Sequence, residues 1–551
     1  MPGLDRRIGF LFGVFLVLLL LGAGRALWLG VVKGDSLQAA AAIQQKSDVQ
    51  IPARRGTITD VNGSELAVSQ PSTSIAATPY LVRDPIKVAG RLARILRMSE
   101  DDLLRKLSRK DTGFVWLARS LPDRAARRIR KLGIAGLEFV PGFRRVYPRD
   151  WMAAQLLGIV GVDGHGLDGL EFALDGRLRG ADGRRRLVKD ALGDTIELRD
   201  TRATEPGQRV RLTLDANIQD RTEEVLAEVG REWKPKGATA LVMDPRDGAI
   251  LAMANWPQVD ANDLLGAPDY AKQNRAIGAN YEPGSTFKPF TVAGALEDGK
   301  VTPRTQFSLP PVLQVADRTI KEAHDRGWTT LDTSQILAQS SNIGTVKIGQ
   351  ELGKRRFDHW IRRFGFGGPT GVDLPGEEAG IVPSVEQYSG ASIGNLPIGQ
   401  GLAVTPMQIA AAYAAIANGG ILRPPHMVEA VGGQRARKPA GRRIVSRHTA
   451  AAIAKMLEGV LGPGGTATGA KIDGYAVAGK TGTAQKPIPG GYSATKYVAS
   501  FAGFAPVRNP RLLVTVMVDE PQGDIYGGSI AAPAFKKITS FALNYLAIPP
   551  D

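Results

Sequence analysis

The chain of 551 residues contains no cysteine and only five histidines. Without thiols there are no disulfides and no thiolate catalysis, and the composition suits export to an oxidising compartment. His165, His324, His359, His426 and His448 are scattered without metal-ligand spacing, so no metal site is expected. Acidic residues are in deficit: 54 Asp and Glu face 70 Lys and Arg, a formal charge of +16. That balance suits an anionic partner such as nucleic acid, lipid headgroups or an acidic polymer. No zinc spacing, aromatic RNA-binding signature or basic zipper accompanies it, so nucleic acid is not the expected partner. Internal repeats and long low-complexity tracts are also missing.

Charge is absent altogether from Ile8 to Gly24, where Leu, Val, Phe and Gly dominate. Arg25 interrupts the run and Leu27–Val32 resumes it. A helix needs about 20 apolar residues to cross a bilayer, so this stretch is long enough for one transmembrane helix. Arg6 and Arg7 precede it, which predicts a cytoplasmic tail and everything after the span outside. A secretory signal has an apolar core of only about 7–15 residues, so an uncleaved anchor is expected over a leader cut near Gly22-Ala23-Gly24. Arg25 either snorkels to the outer interface or faces a polytopic partner helix.

The rest of the chain is too long for one ordinary core. An Ala-rich stretch, Leu37–Gln45, predicts a continuing helix. Arg54–Asp60 followed by Val61-Asn62-Gly63 reads as a strand and a tight turn. Arg105–Arg149 is dense in basic residues, and Arg127, Arg128, Arg130 and Lys131 predict a solvated helix face. Glu205-Pro206-Gly207-Gln208 breaks all apolar periodicity and marks the main boundary. The expected partition is 1–33 for tail and anchor, 34–205 for a first extracytoplasmic module, and 206–551 for a second. Within 206–551, Arg211–Leu214 reads as a strand and Ile218–Val229 as a helix. Ala238–Met243 and Ala249–Ala254 read as a strand pair, as do Ala499–Ala505 and Leu512–Val518, and Ala531–Leu546 as a last helix. Strands at both ends with helices between argue for α+β, one antiparallel sheet flanked by helices.

Three short motifs carry chemistry. In Ser285-Thr286-Phe287-Lys288, Pro283-Gly284 makes a turn and Phe290–Leu296 is helical in pattern, so Ser285 opens a helix. Its first-turn N–H groups are free to bind an oxyanion. Lys288, three residues on, shares its face. A serine hydroxyl needs a base, and a desolvated lysine can be that base. The second copy, Ser493–Lys496, is expected in a hairpin loop. Ser340-Ser341-Asn342 falls between the helical patterns Ser334–Gln339 and Thr345–Leu352. Its hydroxyl and amide could relay a proton and hold a substrate amide. Lys480-Thr481-Gly482-Thr483 ends the apolar run Tyr475–Gly479. On a strand, Thr481 and Thr483 share a face, and Gly482 would let a substrate backbone approach an edge. Taken singly, each motif also reads as ordinary turn or surface sequence.

Their order, Ser-x-x-Lys, Ser-x-Asn, Lys-Thr-Gly, resembles that of penicillin-binding proteins and serine β-lactamases. The likeness is strongest to class B penicillin-binding proteins of the septal type, and it covers nearly the whole chain. Tyr281–Thr286 resembles the acylation motif. Gly399-Gln400-Gly401 with Val404-Thr405-Pro406, and Tyr526-Gly527-Gly528 with Ala532-Pro533, resemble further family segments. Arg55–Ile58 and Gly161–Glu171 resemble its non-catalytic pedestal. Val61 stands where the family often has arginine. The resemblance implies that Ser285 forms an acyl-enzyme and that Lys288 takes its proton. It implies that Ser340 and Lys480 shuttle a proton, that Asn342 holds the donor amide, and that Thr481, Gly482 and Thr483 line the carboxylate site. The N–H groups of Ser285 and Thr483 would form the oxyanion hole. The implied substrate is the peptidoglycan stem peptide ending in D-Ala-D-Ala. β-Lactams would be covalent inhibitors, a polytopic lipid-II polymerase the membrane partner, and no metal or cofactor would be needed.

Other readings compete. Gly390-Ala391-Ser392-Ile393-Gly394 matches a nucleophile elbow but lacks a clear strand before it. Gly464–Gly469 has phosphate-loop spacing with Ala470 where lysine is required. An elongation-type transpeptidase, a β-lactamase or β-lactam sensor, and an inactive scaffold share the implied fold. The long module at 47–202 argues against a simple β-lactamase, and the intact trio against a scaffold.

Overall fold

The computed structural model describes residues 2–32, 46–109, 111–189 and 195–551. The helix expected over Leu37–Gln45 lies outside these described residues. The chain divides into two compact units whose segments alternate along the sequence, one made of Met1–Arg54, Ser72–Phe143 and Gly180–Gly207, the other of Arg55–Pro71, Arg144–Arg179 and Gln208–Asp551.

The second unit is built on five antiparallel strands: β1 (Gly237–Met243), β2 (Ile250–Trp256), β3 (Ala478–Ile488), β4 (Gly491–Ala505) and β5 (Leu512–Asp519). Their order in the sheet is β2-β1-β5-β4-β3, which leaves β3 at an edge. One row of the register runs Asn255, Thr239, Met517, Ser500, Gly482. β1 is buried along its whole length and β5 along nearly all of it, which is why both read as unbroken apolar runs. Helices α1 (Ala216–Trp233) and α7 (Ala531–Tyr545) pack on the sheet and on each other. α5 (Pro406–Ala417) also packs on it; it opens with a Thr405/Gln408 capping box and is buried from Pro406 to Ile416. A helix apolar all round belongs inside, and α5 has no polar face to spare. α2 (Lys288–Glu297) runs through the core, buried from Lys288 to Ala295, beside α4 (Asn342–Leu352) and α6 (Arg447–Glu458).

The expected linear partition at Glu205 differs from this packing. Arg55–Pro71 and Arg144–Arg179 join the second unit because Ile58, Leu66, Tyr147, Leu156 and Leu170 share its buried core with Val210, Leu212 and Leu226, and a buried ionic cluster ties the two segments to each other. Arg55 Nε and Arg145 Nε donate to the two oxygens of Glu171 at 2.7 and 2.5 Å, and Arg55 Nη1 reaches Asp175 at 2.5 Å. Glu171 is fully buried. Arg145 thus departs from the solvated role expected of the basic stretch. Ile58–Thr59 pairs in parallel with Val210–Leu212, which pairs in turn with Val428–Val431.

The first unit packs helices Pro85–Leu96, Glu100–Leu107 and Asp123–Arg130 with strand Val115–Pro122 around Ile75, Leu92, Leu103, Leu117 and Ile129. Arg127, Arg128, Arg130 and Lys131 are exposed, as the pattern predicts. At the N-terminus, Pro2–Leu27 is helical, and Arg7–Val31 has a mean hydropathy of 2.3 with none of it buried. That one helix is long and apolar enough to cross a membrane. The Arg25 guanidinium lies 5.1 Å from the Trp28 ring centroid, a cation–π contact.

Candidate active site

The nucleophile segment is mounted rigidly. Tyr281 and Val404 exchange backbone hydrogen bonds at 3.0 and 2.9 Å. Gly284 has φ 54°, a left-handed conformation suited to glycine, and its N–H donates to Gly399 O at 3.0 Å. Gly284–Phe287 forms a single tight turn that runs straight into α2, so Ser285 does stand at a helix start. Thr286 Oγ1 donates to Pro283 O at 2.8 Å, and Tyr413 OH donates to Thr286 O at 2.8 Å. Phe287 and Phe290 pack edge-on to one another and against Phe366; Phe290 also meets Phe364 and Tyr413. These aromatic contacts fix the turn from below, leaving Ser285 half-buried above.

Lys288, one turn on, has no exposed surface. Its Nζ donates to Ser340 O at 2.6 Å, Asn342 Oδ1 at 2.7 Å and Ser340 Oγ at 3.2 Å. Burial pulls its pKa down to about 7; the Glu322 carboxylate opposes that shift and the Arg326 guanidinium adds to it. α3 (Thr333–Ala338) and α4 flank the turn that carries Ser340 and Asn342. Ser340 has φ 59°, where non-glycine residues are strained. Ser341 N donates back to Ile336 O at 2.9 Å and Ser341 Oγ caps Gly344 N at 2.9 Å, closing one helix and opening the next.

Lys480, Thr481, Gly482 and Thr483 lie on edge strand β3. Lys480 is fully buried, and its Nζ makes only long contacts, 3.3 and 3.4 Å, to Thr481. Burial pushes its pKa well below the usual lysine range, and the Lys288 charge pushes it further. Sparse bonding and a like-charged neighbour favour Lys480 as a neutral amine, while three acceptors gather around Lys288. Gly482 does something the pattern did not indicate. A Cβ there would meet Ser500 Oγ at 2.4 Å, Thr286 Cγ2 at 2.9 Å and Pro283 O at 3.0 Å. Its bare face thus lets the strand press against the Ser285 turn. Lys288 thus joins the Ser340–Asn342 turn, and strand β3 lies against the Ser285 turn at Gly482.

Sequence reasoning missed several residues around them. Glu322 and Arg326 hold the Ser340 turn from a neighbouring loop. Thr466 Oγ1 lies 2.7 Å from Thr481 Oγ1, and Gly527 N donates to Thr483 Oγ1 at 3.1 Å. Glu282 Oε1 accepts from Gly401 N at 3.0 Å and from Tyr492 OH at 3.1 Å. A cavity of about 550 Å³ lies behind this segment, lined in part by Tyr281, Glu282, Gly401 and Gln485, and touches none of the three motifs. The second Ser-x-x-Lys corrects an expectation: Ser493–Lys496 lies at the start of strand β4, not in a loop. Ser493 Oγ there accepts from Thr495 N at 3.3 Å and from Lys496 N at 3.1 Å, so it is held by its own backbone.

Residues 238–540 match the penicillin binding protein transpeptidase domain, and residues 50–212 match the penicillin-binding protein dimerisation domain. The chain belongs to the penicillin-binding protein transpeptidase family. It is 34% identical over 553 residues to peptidoglycan D,D-transpeptidase FtsI of Escherichia coli (strain K12), covering 99% of this chain and 92% of that protein. It is 33% identical over 550 residues to the probable peptidoglycan D,D-transpeptidase PenA of Neisseria gonorrhoeae, covering 99% and 93%. Among solved structures, penicillin binding protein 3 from Mycobacterium tuberculosis in complex with aztreonam superposes with a TM-score of 0.71 at 30% identity, over 91% of this chain and 98% of that one. This penicillin-binding protein is therefore class B, of the penicillin-binding protein 3 type, with an α+β transpeptidase domain. It is a serine-type peptidoglycan D,D-transpeptidase.

Proposed function

We propose that the chain makes the peptide cross-links of the division septum, with Ser285 as the residue acylated by the stem peptide. The observation that carries the residue assignment is the buried Lys288 amine, bonded to both Ser340 and Asn342 and one turn from Ser285. In the first half-reaction Ser285 Oγ attacks the carbonyl of the penultimate D-Ala and Lys288 takes its proton. The serine ester forms, the D-Ala-D-Ala amide bond breaks, and Ser340 with Lys480 passes a proton to the departing amine. In the second half, the amine of a neighbouring stem attacks the ester and gives its proton back along the same groups. Backbone N–H groups of Ser285 and Thr483 hold the oxyanion, Asn342 the donor amide, and Thr481 and Thr483 the terminal carboxylate, while Gly482 brings the strand against the turn. A lysine poised near neutrality can both take and return a proton at working pH.

The septal assignment draws on the likeness to FtsI over nearly the full chain. We assign residues 1–33 to a short cytoplasmic tail and a single-pass anchor. Residues 34–205 form a non-catalytic pedestal, and 206–551 hold the chemistry outside the cytoplasm. A polytopic lipid-II polymerase is the partner such an anchor fits. Fluorescent penicillin should label the wild type and leave Ser285→Ala unlabelled. An adduct located by mass spectrometry on Ser493 or Ser392 would overturn the assignment.

A further inference from the structure

The loop Glu322–Trp328, between strands Arg318–Lys321 and Thr329–Asp332, carries an acid and a base that no motif accounts for. Glu322 Oε1 accepts from Ser341 Oγ at 2.5 Å and from Ile343 N at 3.3 Å, and Oε2 accepts from Asn342 N at 2.8 Å. These are the orphan donors that open α4, where a carboxylate also meets the positive end of the helix dipole. Arg326 grips the other side: Nη1 donates to Gln339 Oε1 at 2.9 Å and Nη2 to Gln339 O at 3.0 Å, just past the end of α3. Lys321 O accepts from Asn342 Nδ2 at 2.9 Å. Between the two grips stands Ser340 at φ 59°. A left-handed serine costs roughly 1–2 kcal/mol and persists only where its surroundings over-determine it. The same loop reaches the far wall, where the His324 ring lies 6.0 Å from the Tyr526 ring, next to Gly527 on Thr483.

We propose that Glu322 and Arg326 are positioning residues that clamp both ends of the Gln339–Ile343 turn and so hold Ser340 and Asn342 on the Lys288 amine. The proposal rests on the reading of Ser285, Lys288, Ser340 and Asn342 given above. The clamp is also charged. The titratable groups facing Lys288 are the Lys480 amine from β3 and Glu322 and Arg326 from this loop. Glu322 favours the ammonium form of Lys288, whereas Arg326 disfavours it. The two halves of the clamp therefore pull the proton on Lys288 in opposite directions.

The test uses the full chain in detergent and the second-order rate of penicillin acylation from pH 5 to 9. In the wild type the rate should rise with pH as Lys288 loses its proton, with a midpoint near its pKa of about 7. Glu322→Ala and Arg326→Ala should lower the plateau rate about 10- to 100-fold, the scale expected when reacting groups are misplaced by about 1 Å. Glu322→Gln keeps the shape and loses the charge, so its midpoint should move to lower pH. Arg326→Ala should move it to higher pH. A side chain that served the fold alone would shift neither midpoint. Should thermal melting show Glu322→Ala unfolded, Glu322→Gln and Arg326→Ala decide the matter. Wild-type plateaus and midpoints, or midpoints displaced in the same direction, would overturn the clamp. A wild type that fails to acylate at Ser285 would instead overturn the catalytic reading.

Discussion

Two carboxylates, Glu282 and Glu322, lie close to the turns that carry Ser285 and Ser340, and both are already engaged. Glu322 is spent on Ser341, Asn342 and Ile343. Glu282 Oε1 accepts from Gly401 N and Tyr492 OH, and its carboxylate lines the cavity that touches none of the three motifs. The first acid after Asn342 in sequence, Glu351, is exposed on α4. A β-lactamase must activate water to break its acyl-enzyme, and none of these groups is set to do so. The penicilloyl adduct on Ser285 should therefore persist for hours, a barrier of about 23 kcal/mol, against about 16 kcal/mol for turnover at ~10 per second. Intact-protein mass spectrometry after a penicillin pulse checks this; loss of the adduct within seconds, with release of hydrolysed drug, would mean a β-lactamase. The three motifs were legible because each is local: three residues bring Lys288 round one helical turn, and two set the spacing along a turn or strand. Glu322, Arg326 and Thr466 were not. Their partners are 13 to 21 residues away in sequence, and single acids, bases and threonines at such distances leave no periodic trace.

At the scale of elements, β3 depends on glycine for two close approaches, and the second gives a test. Gly527 seats its N–H on Thr483 Oγ1, and a Cβ there would lie 2.3 Å from Ser500 O and 2.4 Å from Gly482 O. Both obstacles are sheet backbone, which cannot turn aside as a side-chain rotamer can. Gly527→Ala should lift Tyr526–Gly528 off the strand, free Thr483 and slow penicillin acylation about 10- to 100-fold. The overpacking itself should cost about 1–3 kcal/mol of stability. Gly368→Ala is the control, because a Cβ there meets nothing within 4 Å. Equal acylation rates for the two variants would show that the Gly527 seat does not matter. The strands of this sheet were legible for a reason visible in β1 and β5: buried on both faces, they leave apolar runs bounded by Asp-Pro and Asn-Pro turns. Helix starts were less so. α4 begins at Asn342, three residues before the apolar pattern at Thr345, because Ser341 and Glu322 cap donors that periodicity does not count. The start of β4 reads as a loop in sequence because its first residues are Gly-rich and polar, ahead of the apolar part of the strand.

For the whole molecule, the sequence break at Glu205 and the packing disagree, and the disagreement has an energetic consequence. The chain passes between its two units at residues 54/55, 71/72, 143/144, 179/180 and 207/208. A break in apolar periodicity marks only the last of these, because the others fall within or beside strands such as Glu65–Ala77 and Leu137–Val146. Ile58, Leu66, Tyr147, Met152, Leu156, Leu157, Leu170 and Leu178 all belong to the same buried core as Val210, Leu212, Leu214 and Leu226. Burying such a side chain contributes about 1.5–3 kcal/mol, so these eight contribute roughly 12 kcal/mol or more. Native domains are stable by only about 5–15 kcal/mol. A chain beginning at Pro206 keeps every motif residue yet loses all eight, together with the Arg55–Glu171–Arg145 cluster. It should be recovered unfolded or aggregated, without penicillin labelling. A chain lacking only residues 1–33 loses the apolar N-terminal helix, whose span Arg7–Val31 is nowhere buried in the fold. It should leave the membrane fraction, melt at the temperature of the full chain and label at Ser285 at the full rate. Cooperative melting and full labelling of the chain beginning at Pro206 would show that the first 205 residues contribute nothing to the core. Loss of labelling on removing residues 1–33 would show that the N-terminal helix supports the fold through contacts other than burial.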